Sequence, residues 1–363
     1  MIEVVNLEEL CTGIIDCPHS TPKWQDKGIP VIRNYNLKDG KIDCANLSFV
    51  SEEDYKERVK RAIPEESDII ISREAPMGVV GIVPKGFQCC LGQRLVLLKI
   101  DKSKCLPKYL LYTLMSEYVQ LQIRRINQTG SIVSNLNISS LRELKIPLHS
   151  FEEQEKITNI LSAIDDKISL NSQINQELEA MAKTLYDYWF VQFDFPDQNG
   201  KPYKSSGGKM VYHPELKREI PEGWGVEKLS HFLTIKNGKD HKHLQDGKFA
   251  VYGSGGIMRT VADYLYSGES ILFPRKGTLN NVMYVNEKFW TVDTMFYSEV
   301  NKNTSALYVF YSVKDIDFNK LNTGTGVPSM TSSILYDLNI VVPEENILEK
   351  FNTVVKRNYE TIK

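Results

Sequence analysis

The sequence predicts an α+β protein in which two tandem mixed α/β domains are joined by one long coiled-coil-forming helix. Three observations predict it. Residues 151–190 contain neither Gly nor Pro and carry apolar side chains alternately four and three apart. The order of strand, turn and helix signals before this stretch recurs after it, an internal repeat. Both flanking regions alternate short apolar runs with Gly/Pro turns, the pattern of small mixed domains.

The totals bound the function. A chain of 363 residues suffices for two or three domains, and 42% hydrophobic with 25% charged residues is an ordinary soluble composition. No apolar run is long enough to span a bilayer, and Met1–Cys11 lacks the basic start and apolar stretch of a signal peptide. The expected location is the cytoplasm, with no membrane partner. All six cysteines precede the long helix without a CxxC pair or a neighbouring pair of histidines, which predicts buried free thiols and no zinc site. A net charge of −2 excludes a globally basic nucleic-acid binder but leaves room for local basic surfaces.

Taken in order, residues 1–148 form the first domain. Gly13–Ile15 and Ile29–Arg33 read as strands around the loop CPHSTPKWQDKG, and Ser51–Arg61 as a short helix with Ser51 as N-cap. Asp68–Arg73 is an apolar strand ending in a basic residue, Glu74–Gly81 a turn, and Gly81–Pro84 the returning strand. Leu91–Ile100 is read as one strand and Lys108–Ile126 as one helix, followed by the loop 127–131, a helix Ile138–Leu144 and a strand Lys145–Pro147. The spacer helix occupies 149–190. Ile157, Leu161, Ile164 and Ile168 make its first apolar stripe, and Ile174, Leu178, Met181, Leu185 and Tyr188 resume it. Asn171 and Asn175 interrupt the seam, a device that fixes register or partner. Residues 191–220 are dense in Gly, Pro and charge and read as a connector with little regular structure.

The second domain, 221–343, starts the pattern again. Gly268–Gly277 matches the strand, basic residue and turn around Asp68–Gly78, and Val282–Val285 matches Gly81–Pro84. Ser305–Ser312 stands where Lys108–Met115 stood, and Asn322–Val327 parallels Gln128–Val133. A second helix begins at 344 with Ile347, Phe351, Val354 and Val355 as its apolar face.

Three patterns imitate chemistry. Asp197 with Glu215 and Lys217 resembles the PD…ExK set of metal nucleases, but both pieces lie in the Gly/Pro-rich connector rather than on paired strands. Gly253–Gly256 follows a strand but leads into no helix with a following acid, so a tight turn explains it better than a nucleotide or methyl-donor loop. His241 and His243 have no third ligand in view. No catalytic residue and no metal ligand is predicted. The basic side chains at loops and strand ends are a different matter. Lys23, Arg33, Arg73, Arg94, Arg124 and Arg125 in the first half, with Lys236, Lys239, Lys242, Arg259, Arg275 and Lys276 in the second, stand among aromatic and amide neighbours. Any one of them suits a solvated surface, but both halves supply such a set, as phosphate and base contacts require. Thr129 and Thr323 in the paired TG loops join the list.

Ile146–Ile160 (IPLHSFEEQEKITNI), the helix ending Ala182–Phe195 (AKTLYDYWFVQFDF) and Tyr212–Trp224 (YHPELKREIPEGW), together with the duplicated strand and TG blocks, resemble the specificity subunit of type I restriction–modification enzymes. The resemblance covers nearly the whole chain. It implies two target-recognition domains with pseudo-twofold symmetry, each reading one half of a bipartite double-stranded DNA target through the major groove. It implies helices that pack antiparallel as a spacer and dock the methyltransferase subunits, here through Ile157, Leu161, Ile164, Ile168, Leu178 and Leu185. It further implies a chain without catalysis or a bound cofactor, with S-adenosylmethionine, ATP and Mg²⁺ on the methyltransferase and restriction partners. The family's second helix is as long as the first, whereas this sequence ends at Lys363. The expectation is a truncated second helix, or a docking surface completed by another subunit. A single-chain nuclease or methyltransferase, and a helical scaffold without a DNA role, are the alternatives.

Overall fold

The structure is a computed structural model and describes residues 2–74, 76–128, 135–301, 306–324 and 326–362, with only the backbone of 127 and 128. The chain divides into two compact units, Met1–Ser169 and Leu170–Lys363, so the boundary falls inside the long helix. That helix, Phe151–Tyr186, is 36 residues long, ~54 Å at ~1.5 Å per residue, and runs on into a π-helical turn at Asp187–Val191.

Unit 1 is built on a four-stranded antiparallel sheet in the order Cys11–Asp16, Leu95–Ile100, Ile69–Ser72, Val80–Ile82. The run Ile69–Ile71 is buried on both faces, which is why it reads as continuous apolar sequence rather than as alternation. A smaller sheet pairs Ile29–Ile32 in parallel with Cys90–Leu91 and antiparallel with Ser48–Val50. The helix Glu52–Arg58 starts as expected, with Ser51 Oγ accepting from the Asp54 N–H at 3.1 Å.

Two expected elements are split. Leu91–Ile100 is two strands, because Gly92-Gln93-Arg94 turns the chain and Arg94 takes a left-handed φ of 67°. Lys108–Ile126 is two helices, Pro107–Met115 and Glu117–Gln128. Ser116 between them is extended, and its hydroxyl donates to the Thr113 carbonyl at 2.6 Å. Apolar spacing survives both breaks, so periodicity alone did not reveal them.

Unit 2 repeats this plan in one six-stranded sheet, ordered Leu233–Asn237, Met295–Val300, Tyr266–Pro274, Met283–Thr291, Asp246–Gly253, Gly256–Val261. Met283–Thr291 contains neither Gly nor Pro and runs through both parts of the sheet. Its counterpart in unit 1 is interrupted between Val80–Ile82 and Cys90–Leu91, where Pro84 lacks a ladder donor and Gly86 has φ 69°.

The hydrogen bonds establish the repeat residue by residue. Leu7 N–H donates to Leu144 O at 2.9 Å, and Leu229 N–H to Leu338 O at 2.8 Å. The Tyr109 hydroxyl donates to Pro147 O and the Tyr308 hydroxyl to Val341 O, each at 2.7 Å. One turn on, Thr113 bonds the Tyr109 carbonyl as Ser312 bonds that of Tyr308. Helices Pro107–Met115 and Ala306–Lys314 therefore correspond in a register two residues from the alignment of Ser305 with Lys108.

The expected connector is not loose. Met210–His213 and Arg218–Pro221 form an antiparallel hairpin. Phe193, Phe195, Ile220 and Trp224 are buried in the core of unit 2, with Phe195 stacked on Trp224 at 4.8 Å. Aromatic side chains spaced irregularly through a polar stretch anchor it without leaving a period to read. The last helix, Glu345–Thr361, buries Ile347, Leu348, Phe351 and Val355, while Val354, expected on that face, is exposed. Cys44 is exposed and Cys11 half-buried, contrary to six buried thiols; the other four are buried. Among the described residues, no helix is long and apolar enough to cross a membrane.

Candidate nucleic-acid interface

In unit 1 the strand Ile29–Ile32 and the turn 92–94 deliver their ends to one cleft of about 390 Å³, lined by Trp24, Arg33, Asn34, Tyr35, Gln93 and Arg94 among others. Arg33 is exposed, and its guanidinium carbon lies 5.2 Å from the Trp24 ring centre and 4.8 Å from that of Tyr35. These are cation–π distances. Arg94, at the other wall, places Nε 3.1 Å from a Glu74 carboxylate oxygen. Lys23 is exposed beside Trp24. The cleft thus combines cationic forks, amides and exposed aromatic faces, which suits phosphate and base contacts.

The same backbone frame stands in unit 2. Arg73 N–H donates to Arg94 O and Arg275 N–H to Thr294 O, while Leu136 N–H and Met330 N–H donate to the carbonyls of Arg73 and Arg275 at 2.9 Å each. Gly92 N–H bonds Ile32 O as Val292 N–H bonds Tyr252 O. By this register Gly253 stands where Arg33 stands, and Thr294 where Arg94 stands. Gly253–Gly256 is the hairpin turn between two strands, paired Gly253 to Gly256. The turn touches the loop after Arg275: Asn281 Nδ2 donates to Ser254 O at 2.8 Å, and a Cβ at Gly277 would meet Ser254 Oγ at 2.8 Å. The loop 322–330 joins them through Gly277 N–H to Pro328 O at 3.0 Å. Within that loop Asn322 Oδ1 accepts from the Gly324 and Ser329 amides, and Thr323 N–H donates to Ser329 O. Arg275, Lys276 and Thr323 are therefore brought together and exposed. Lys239 is exposed on the adjoining loop, its carbonyl accepting from the Trp290 indole at 2.9 Å.

Other expected contacts are differently placed. Arg73 is no free strand end: its side chain is 13% exposed, Nη1 bonds both Asp16 oxygens at 2.9 Å, and Nε donates to Leu136 O. Arg259 is tied to Asp246 at 2.8 Å and to the Leu244 carbonyl at 2.9 Å. Lys236 faces Glu299 at 3.7 Å, and Arg124 is paired with Glu117. Arg125 is exposed on the same helix, away from the cleft lining. Thr129 lies outside the described residues. Asp197 accepts from the amides of its own turn at Asn199 and Lys201, and Glu215 sits in the turn of the connector hairpin. Tyr35, Asn34 and Ser254, which carry no basic signal in the sequence, are placed at these tips only by the fold.

Along the long helix, two members of the expected docking stripe serve their own units. Ile157 packs on the unit 1 core and Leu185 on that of unit 2. Leu161 and Leu178 are half-buried, whereas Ile164 and Ile168 are exposed, with Ile160, Leu170, Ile174 and Met181 beside them in sequence. Buried Gln154 fixes the start of the helix, accepting from Leu106 N–H and donating to His149 O at 2.9 Å each.

A model of the type I restriction modification DNA specificity domain matches residues 2–180 and 221–362, once for each repeat. The chain belongs to this family. The chain is 29% identical over 359 residues to the type I restriction enzyme MjaIX specificity subunit of Methanocaldococcus jannaschii, covering 88% of this chain and 79% of that one. It is also 29% identical over 364 residues to the putative MjaX specificity subunit of the same organism, covering 93% and 76%. In structure it is similar to the type I restriction-modification S subunit from M. genitalium, with a TM-score of 0.60 at 18% identity over 99% of this chain and 90% of that one. That likeness fixes the fold: two mixed domains and a long helix. A specificity subunit is the sequence-reading, non-catalytic member of its complex; Asp197, Glu215 and Gly253–Gly256 stand in turns of this chain.

Proposed function

We propose that each unit reads one half of a bipartite duplex target with the loops gathered at its strand ends. In unit 1 these carry Lys23, Arg33 and Arg94; in unit 2 they carry Lys239, Arg275, Lys276 and Thr323. The observation that carries the reading is the shared frame: identical backbone hydrogen bonds present Arg33 and Arg94 in one unit and Gly253 and Thr294 in the other. One scaffold with two different sets of tip side chains suits an asymmetric target, because base contacts specify while the frame positions. The exposed stripe Ile164–Ile168 of the long helix docks methyltransferase subunits, since contiguous uncovered apolar surface marks an interaction site. S-adenosylmethionine, ATP and Mg²⁺ belong to those and the restriction subunits, and the complex works on cytoplasmic DNA.

The test is co-expression of the full chain with its methyltransferase subunits, followed by sequencing of methylated adenine in the host DNA. A single two-part motif separated by a fixed gap is expected. Methylation without a bipartite motif, or none that depends on this chain, overturns the reading.

A further inference from the structure

Arg33 differs from most of the basic residues around it in how it is held. Its amide donates to Asn36 Oδ1 at 3.0 Å, and the Asn36 amide donates back to the Arg33 carbonyl at 2.9 Å. Asn36 is 1% exposed, and its Nδ2 is held by the carbonyls of Asp43 and Asn46 at 3.2 Å each. Ahead of it, Ile32 O accepts from Gly92 N–H at 2.7 Å. The root of the side chain is thus fixed on both sides. Its far end rests at cation–π distance from Trp24 and Tyr35, with Nη1 donating to the Tyr35 hydroxyl at 3.3 Å. Among the described residues no carboxylate lies within ion-pair range of it, whereas Arg73, Arg94, Arg124 and Arg259 each face one. Most of its five donors therefore remain available toward the cleft.

We propose that Arg33 is the specificity-determining residue of unit 1 and reads a guanine in that half of the target. This rests on the reading of unit 1 as a duplex-binding domain. A planar fork whose root is fixed and whose head rests at cation–π distance from two rings loses less freedom on forming two parallel hydrogen bonds, and guanine O6 and N7 accept such a fork in the major groove. A phosphate accepts the same fork, and the two are separated by their dependence on sequence, since a base contact discriminates at one pair and a phosphate contact at none. Gly253 occupies the corresponding point of unit 2, so the second half-site lacks this contact.

The experiment uses the full chain with its methyltransferase subunits and a duplex carrying the motif found by methylation sequencing. Each base pair of both half-sites is replaced in turn, and affinity is measured for the wild type, Arg33→Ala and Arg33→Lys. The expected result is a loss of roughly ten- to hundredfold in discrimination at one G·C pair in both variants, with preferences elsewhere unchanged. Unchanged thermal unfolding of both variants confirms that the cleft is intact. A uniform loss across all substitutions, with the salt slope reduced by about one, makes Arg33 a phosphate contact and overturns the proposal. No change in affinity or preference overturns it as well. A wild-type complex without sequence preference is a separate outcome, which removes the DNA-reading function itself.

Discussion

One nitrogen of the Arg73 guanidinium bonds both carboxylate oxygens of Asp16, at 2.9 Å each. The same side chain reaches Leu136 O and Asn135, so it fastens the strand ends Cys11–Asp16 and Ile69–Ser72 to the chain beyond the helix Glu117–Gln128. Its counterpart Arg275 keeps the backbone bonds, and among the described residues no carboxylate clamps its side chain; its guanidinium carbon lies 5.9 Å from the Phe296 ring centre.

The two arginines should therefore respond differently to truncation. Arg73→Ala leaves Asp16 with a lost charge-assisted pair in a mostly buried setting and should cost about 2–3 kcal/mol. Arg275→Ala should leave stability within about 0.5 kcal/mol and weaken duplex binding instead. Urea unfolding and a salt series of duplex affinities separate them; equal loss of stability in both would refute the distinction.

On the long helix, Ile164 and Ile168 are 49% and 60% exposed. Ile164→Glu with Ile168→Glu should leave the thermal unfolding of the free chain unchanged and abolish co-purification with methyltransferase subunits. Retained co-purification would place the docking surface elsewhere. Ile157→Glu, by contrast, should destabilise the chain itself, because that residue packs on the core of unit 1.

The thiols should divide sharply by burial. Desolvation pushes Cys11, Cys89 and Cys105 up to about 12 and Cys90 to about 11, and raises Cys17. At a pH of about 8 these groups lie below their raised pKa values and stay protonated, with roughly one thiolate in a thousand or fewer for the four highest. Exposed Cys44 should react first with an aromatic disulfide reagent, giving one fast equivalent and five more on unfolding. Two or more fast equivalents in the native chain would contradict this.

Tyr308 is buried and donates to Val341 O, tying the helix Ala306–Lys314 to the strand Asn339–Val342. Tyr308→Phe should lower stability by about 1–2 kcal/mol, and Tyr109→Phe should do so by a similar amount in unit 1. A neutral result for both in urea unfolding would deprive the shared bond of an energetic role.

Local signals were enough for much of this protein. The absence of Gly and Pro from 151–186, the Ser51 cap and the glycine turn at 253–256 are contacts between near neighbours, so their residues announce them. The repeat was legible for a related reason, since both copies keep the order of strand, turn and helix even where few identities survive. Tertiary structure decided what depends on partners far along the chain. Arg73 and Arg275 look alike as strand ends, and a carboxylate 57 residues away makes one of them a clamp. The connector looked loose until Phe195 and Trp224 found each other in a core. In sequence Arg33 is one basic residue among many; Trp24, Tyr35 and the buried Asn36, brought to it by the fold, hold it in place. A side chain's type sets the bonds it can make, but burial and distance, which only the folded chain supplies, determine which of them it makes.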